Sequence, residues 1–413
     1  MITSTVLIIG AVCVEPNSSA AGSRMLQLIE LFLEQNFKIT FATTTQKSTN
    51  AFDLKSIGVA EVSIELNSSS FDVFVKELNP TIVVFDRFMM EEQFGWRVAE
   101  NCPNALKILD TEDLHSLRNV RQEAIKNEKG FSIDDLLNSN ISKREIASIL
   151  RCDISLIIST FEMELLHNTF KIDASLLYHL PFLLNSLEDE KTQSWKSFDE
   201  RNHFVTIGNF LHSPNIDAVL QLKKQIWPSI RFQLPTAEMH VYGAYVTQQI
   251  LQLNNDKEGF FVKGFAADSI EVISNAKVVL APIRFGAGIK GKLTEAMICG
   301  TPSVTTTIGA EGMHANLSWS GFVENDFNEF ANSAVELFSN EIRWQQSQKN
   351  GIEIINKLYD KKKLSTPFLN RIEEIQANLK KHRTQNFMGN LVQHQTLQST
   401  KYMSKWIEEK NKK

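Results

Sequence analysis

The chain predicts two α/β domains, each a doubly wound parallel sheet, and three observations lead there. Short apolar runs of strand length alternate with helical stretches along most of the sequence. With 413 residues there is room for two cores. A polar interval between Leu183 and Asn202, carrying Glu188 to Lys191 and Asp199 to Arg201, separates one series of βα units from the next.

In the first domain, residues 1–190, Val6 to Gly10 is the opening strand. A helix from about Ser23 to Gln35 follows, with Met25, Ile29 and Phe32 at helical spacing. The next strands are Ile39 to Ala42, Val59 to Ile64, Thr81 to Phe85, Leu106 to Leu109 and Ser155 to Ser159. The second domain, residues 203–365, repeats the rhythm with Phe204 to Gly208, Met239 to Tyr242, Phe260 to Val262, Val278 to Ala281 and Ser303 to Thr307. Its first helix carries Val219, Leu222 and Ile226 on one face, with Asn215 as its expected cap. Residues 366–413 form a tail, polar and helical from Arg371 onward. Neither half shows a full Gly-x-Gly-x-x-Gly fingerprint with a downstream acid, which argues against a dinucleotide dehydrogenase.

Bulk properties narrow the class. A net charge of −5 gives no global basis for binding nucleic acid, so no such partner is expected. Cys13, Cys102, Cys152 and Cys299 are scattered without paired spacing, which suggests neither a disulfide framework nor a zinc site and fits a reducing cytoplasm. No signal peptide or segment of transmembrane length is expected. The aromatic and basic run from Lys401 to Lys410 is compatible with weak peripheral contact at a membrane surface, but Glu408 and Glu409 dilute its basic face, and a solvated helix is the commoner outcome.

The chemistry concentrates between Ala281 and Gly312, which reads as strand, glycine loop, helix, strand. Gly286, Gly288 and Gly291 let the backbone approach a ligand and turn its N–H groups toward an anion. Lys290 and Lys292 stand where a helix begins; they oppose its dipole as caps, so their use is sought in a shared phosphate. Glu295 falls off the apolar stripe of Leu293, Met297 and Ile298, where a carboxylate can accept two hydroxyl hydrogens. Gly300 and Pro302 end the helix.

At Glu295-Ala-Met-Ile-Cys-Gly-Thr-Pro302 the sequence resembles the retaining GT-B glycosyltransferases of family 4, the group 1 glycosyl transferases. The resemblance implies two facing Rossmann-like domains with a C-terminal helix returning to the first. It also implies that Glu295 holds the donor ribose and that Lys290 contacts the diphosphate. Where the family often has an acid touching the donor sugar, this chain has Ala287, leaving Arg284 and the main-chain amides around Gly288 and Ile289 as substitutes. By location, Gly208, Asn209 and His212 fall on the stretch that reaches the phosphates in the family, without its usual basic pair. The turn Lys263-Gly264-Phe265 falls where main-chain groups meet the base.

In the first domain, the turn around Gly22 and Arg24 precedes a helix, so its amides and guanidinium are candidates for an anion across the cleft. The strand ends at Asp86-Arg87 and Asp110 to Arg118 gather polar groups where open α/β sheets bind ligands. Asp113, His115 and Arg118 are expected to form the polar rim near the donor sugar.

The resulting expectation is a hexosyltransferase that moves a sugar, with retention, from a nucleotide-diphosphate-sugar to a hydroxyl of a glycan, lipid-linked or small-molecule acceptor in polysaccharide or glycoconjugate biosynthesis. No resident cofactor or metal is expected, since the nucleotide sugar is a substrate and cationic side chains serve the diphosphate. Two other readings share the fold: a sugar-nucleotide epimerase, and a non-catalytic binding module suggested by Ala287 and the missing basic pair near Gly208.

Overall fold

The computed structural model describes residues 4–412. Strands β1 (Thr5–Gly10), β2 (Lys38–Thr43), β3 (Ala60–Ser63), β4 (Ile82–Asp86), β5 (Leu106–Asp110), β6 (Ile154–Ile157) and β7 (Leu177–His179) form one sheet. Its spatial order is β3-β2-β1-β4-β5-β6-β7, with every pair parallel. The second sheet joins β8 (Phe204–Ile207), β9 (Met239–Tyr242), β10 (Phe260–Gly264), β11 (Val278–Ala281), β12 (Ser303–Thr305) and β13 (Gly321–Val323). Its order is β10-β9-β8-β11-β12-β13, again all parallel.

Both sheets are covered on their two faces, which is why central strands such as β1, β4 and β11 read as continuous apolar runs. In β1, Val6 and Ile8 enter one cluster with Met25, Ile29 and Phe32, while Leu7 and Ile9 enter the opposite one with Phe71, Phe85 and Phe94. Strand order reverses beside β1 and beside β8. The crevices at the carboxyl ends of these strands are where such sheets receive ligands, and the two face each other.

Two crossings of the chain join the domains side by side. The Leu184 N–H donates to the Tyr359 carbonyl at 2.8 Å and the Lys361 N–H to the Leu184 carbonyl at 2.7 Å. The returning strand then becomes the helix Lys361–Ala377, capped by Asp360. Phe368, Ile372 and Ile375 of this helix are buried in the first-domain cluster with Val6, Ile8 and Phe32. Further on, Arg383 pairs with buried Asp153 at 2.7 Å. The last helix, Phe387–Asn411, is fastened to the first domain where Arg97 donates to buried Ser404 at 3.1 Å and Asn386 to the Leu150 carbonyl at 2.8 Å.

The structure adds β7 and β13, three residues each and too short to show a period. It moves the first helix back to Ala20–Glu34, capped by Ser19. β12 ends at Thr305 because Thr306 caps the short helix that follows. Asn215 is not the cap of its helix: Ser213–Gln221 starts after His212, and the Asn215 amide group donates to the Asn209 carbonyl at 2.8 Å.

Since Ile372 carries the tail into the first-domain core, Ile372→Ala should lower unfolding free energy by roughly 2–5 kcal/mol, read from urea denaturation.

Candidate functional site: the interdomain cleft

The carboxyl ends of β1, β4 and β5 face those of β8 and β11 across a cavity of about 430 Å³. The second-domain wall follows from local sequence. β11 ends at Ala281, the chain loops through Ile283 to Lys290, and the helix Gly291–Ile298 starts with its free N–H groups at the cavity. Gly286, Ala287, Ile289, Lys290, Lys292 and Glu295 line it, as do Gly208, Asn209, His212 and Phe265. From the first domain come Arg87, Glu112, Asp113, His115 and Arg118.

Burial governs the charges here. It lowers Lys290 and Lys292 each to about 8, against the opposing pull of Glu311 on the first and Glu295 on the second. It raises Glu295 to about 7, although a hydrogen bond from Ser269 and the charge of Lys292 both oppose the shift. Lys290 rests its ammonium on the Gly288 carbonyl at 2.8 Å, and Lys292 rests on the Asn215 side-chain oxygen at 2.8 Å. Both acceptors are neutral, so neither hydrogen bond sets a carboxylate against the lysine.

On the opposite wall Asp113 pairs with Arg118 and lies 3.3 Å from the His115 ring. Burial lowers His115 to about 4, despite the attraction of Asp113, so the ring is neutral at ordinary pH. Glu112 and Arg87 both adopt positive φ, +62° and +69°, at neighbouring strand ends. Burial, with Asp110 and Asp86 adding to it, raises Glu112 well above the usual carboxylate range. One of its oxygens is buried without a partner among the described residues. Non-glycine residues in this conformation are held there by their surroundings, as happens at ligand sites.

Several residues expected at the site are engaged by protein groups instead. Arg24 is buried and spent on Asp110 at 2.7 Å and the Leu180 carbonyl at 2.7 Å, because a guanidinium inside the core must be paired. Gly22 gives its amide to the Ser19 cap at 3.0 Å. It is small because a Cβ there would lie 2.2 Å from the Glu15 carbonyl oxygen. Arg284 turns away from the cavity to grip Asp217, with Nε at 2.8 Å. Lys263 lies over the Phe261 ring at 4.7 Å and Gly264 accepts from the Gly243 amide at 2.8 Å, so of that turn Phe265 alone lines the cavity. The Gly288 amide points not at open space but at the Glu162 carboxylate of the first domain, 2.8 Å away.

Three residues that hold the cleft together were not anticipated. Glu162 takes the Gly288 amide and, at 2.9 Å, the Leu114 amide, so one carboxylate bridges the domains. Arg121 donates to both oxygens of Glu311, at 2.8 and 2.7 Å, and to the Gly286 carbonyl at 2.8 Å. Tyr245 donates its hydroxyl to Glu15 across the mouth, 2.9 Å from one carboxylate oxygen. Each contact between the domains joins residues more than 100 positions apart, so no local pattern marks them. Glu311, next to the glycine-rich segment, offered the nearest clue.

Residues 201–340, which lie in the second domain, match the family described as glycosyl transferases group 1. No curated protein sequence matches the chain. Among solved structures it is similar to Staphylococcus aureus TarM, determined in mutant form in complex with fondaparinux, α-GlcNAc-glycerol and UDP. The TM-score there is 0.68 at 11% identity, over 89% of this chain and 99% of that one. Sucrose-phosphate synthase from Thermosynechococcus elongatus gives 0.67 at 15% identity, over 91% and 100%. The pneumococcal O-GlcNAc transferase GtfA, solved with UDP and GlcNAc, gives 0.65 at 13%, over 91% and 99%. At such identities the likeness is one of fold. The fold is GT-B, and the second domain carries the sequence pattern of group 1 glycosyl transferases.

Burial raises Glu162 to about 8, with repulsion from Asp113 adding to it, so the folded state binds this proton more tightly than the unfolded chain. Its contribution to stability is therefore complete at low pH and is lost as pH rises from about 5 through 8. Thermal unfolding measured across that window should show Glu162→Gln losing less stability with rising pH than the wild type.

Proposed function

We propose that the protein is a retaining glycosyltransferase that moves a hexosyl group from a nucleotide-diphosphate-sugar to an acceptor hydroxyl. The observation that carries this reading is the placement of Lys290, Lys292 and Glu295 together around one helix N-terminus, all facing the interdomain cavity. Two ammonium groups and a helix end form a site for a diphosphate, and a neighbouring carboxylate is suited to a pair of ribose hydroxyls. The group 1 match over residues 201–340 supports the same assignment, as does a fold shared with proteins solved with UDP.

Leaving-group stabilisation is the central step. As the bond between sugar and diphosphate lengthens, negative charge grows on the phosphate oxygen, and Lys290 and Lys292 meet it inside a cavity where burial strengthens their attraction. The contacts of Arg121 and Glu162 keep the walls together. Asp113, His115 and Arg118 form the rim on the far side, where the donor sugar and the incoming hydroxyl would meet. The acceptor belongs to a glycan, a lipid-linked molecule or a small metabolite, within cytoplasmic polysaccharide or glycoconjugate assembly. Four cysteines without disulfides support that compartment.

Glu295→Ala should weaken binding of the nucleotide diphosphate by about 1.5–3 kcal/mol, measured by calorimetric titration with UDP, GDP and ADP. An unchanged affinity for whichever nucleotide binds would remove the ribose assignment. Lys290→Ala should depress turnover far more than melting temperature. Wild-type kcat/KM should fall as pH rises past about 8, where the free enzyme loses the Lys290 charge. Nucleotide-sugar binding with neither transfer nor hydrolysis across a panel of acceptors would favour the binding-module reading.

A further inference from the structure

The helix Phe387–Asn411 presents two chemically different sides. One is docked on the first domain: Gly389 and Ser404 are buried, and Thr396 accepts from Arg151 at 3.3 Å. The other faces solvent with large apolar groups. Phe387 is 71% exposed, Tyr402 60% and Trp406 59%, and Met388, Leu391 and Met403 are exposed beside them. At about 100° per residue, Phe387, Leu391, Tyr402 and Trp406 fall within an arc of about 100°, turned away from Ser404. Isolated surface hydrophobics are ordinary, but aligned aromatics on one helix face mark a contact surface.

Charge indicates what covers this face. Residues 379–412 hold seven lysines and arginines against Glu408 and Glu409, a net +5 within a chain of net −5, so the remainder carries −10. Lys380, Lys381 and Lys405 are exposed and pair with no carboxylate among the described residues, while Lys410 lies over the Trp406 ring at 5.2 Å. No helix among the described residues is long and apolar enough to cross a bilayer. Aromatic side chains flanked by free lysines suit the headgroup boundary, where rings reach the acyl region and ammonium groups meet lipid phosphates.

We propose that the outer face of Phe387–Asn411, with the adjoining lysines, docks the protein on an anionic lipid bilayer, its axis in the plane of the membrane. Binding then combines shallow burial of four apolar side chains with attraction for acidic headgroups. It does not depend on what the cleft binds. A second copy of the chain is the competing occupant, disfavoured because two like-charged tails would have to meet.

The test is co-sedimentation of the full chain with phosphatidylcholine vesicles, with and without roughly one-third phosphatidylserine, a content that gives the surface a negative potential. Binding should be roughly tenfold or more stronger on the acidic vesicles and should fall steeply with added salt. A variant joining Phe387→Ala, Tyr402→Ala and Trp406→Ala should lose most binding on acidic vesicles, as should one joining Lys380→Glu, Lys381→Glu and Lys405→Glu. Both should keep the wild-type melting temperature, since the altered groups are exposed. Three results would overturn the proposal: no vesicle binding by the wild type, equal binding to both vesicle types, or a concentration-dependent dimer in light scattering that the triple alanine variant abolishes.

Discussion

The cleft depends on one close approach, that of Gly288 to the first domain. A Cβ at residue 288 would lie 2.8 Å from the Asp113 side chain, and the backbone there has φ of +62°, so the position excludes side chains on two grounds. The approach lets the Gly288 amide reach Glu162, whose other bond is to the amide of Leu114, just ahead of the helix that bears His115 and Arg118. A single carboxylate thereby sets the glycine loop of one domain against the polar rim of the other. The Arg121 contacts with Glu311 and the Gly286 carbonyl hold the same loop from its far side.

Electrostatics in the cavity follow from this closure. Withdrawing Lys290, Lys292 and Glu295 from water moves all three toward neutrality, and the acceptors left to the lysines are a carbonyl and an amide oxygen. Such an arrangement costs stability, and on the proposed function an incoming diphosphate would relieve it. The unpartnered oxygens on Glu112 and Glu162 arise from the same burial around the crevice.

The tail contributes in two registers. Its first helix completes the core of the domain the chain had left, through Phe368, Ile372 and Ile375, and so ties the second domain to the first. Its last helix lies on the outside and keeps a basic, aromatic face turned to solvent.

Much of this architecture was legible in the residues. Doubly buried parallel strands must be apolar throughout, so β1 and β11 announced themselves, and the glycine loop with Lys290, Lys292 and Glu295 was visible because a strand end, a helix start and their intervening turn are contiguous in sequence. β7 and β13, three residues each, carry too little pattern to be seen; β12, equally short, was seen only because it follows the stop at Gly300 and Pro302. Partner choice was the other hidden quantity. Arg24 and Arg284 looked like free cations, yet Asp110 lies 86 positions from the first and Asp217 lies 67 from the second, and only folding brings them together. Local chain geometry decides which element a residue joins. Whether its charge serves a ligand or the core depends on distant neighbours, which tertiary packing alone supplies.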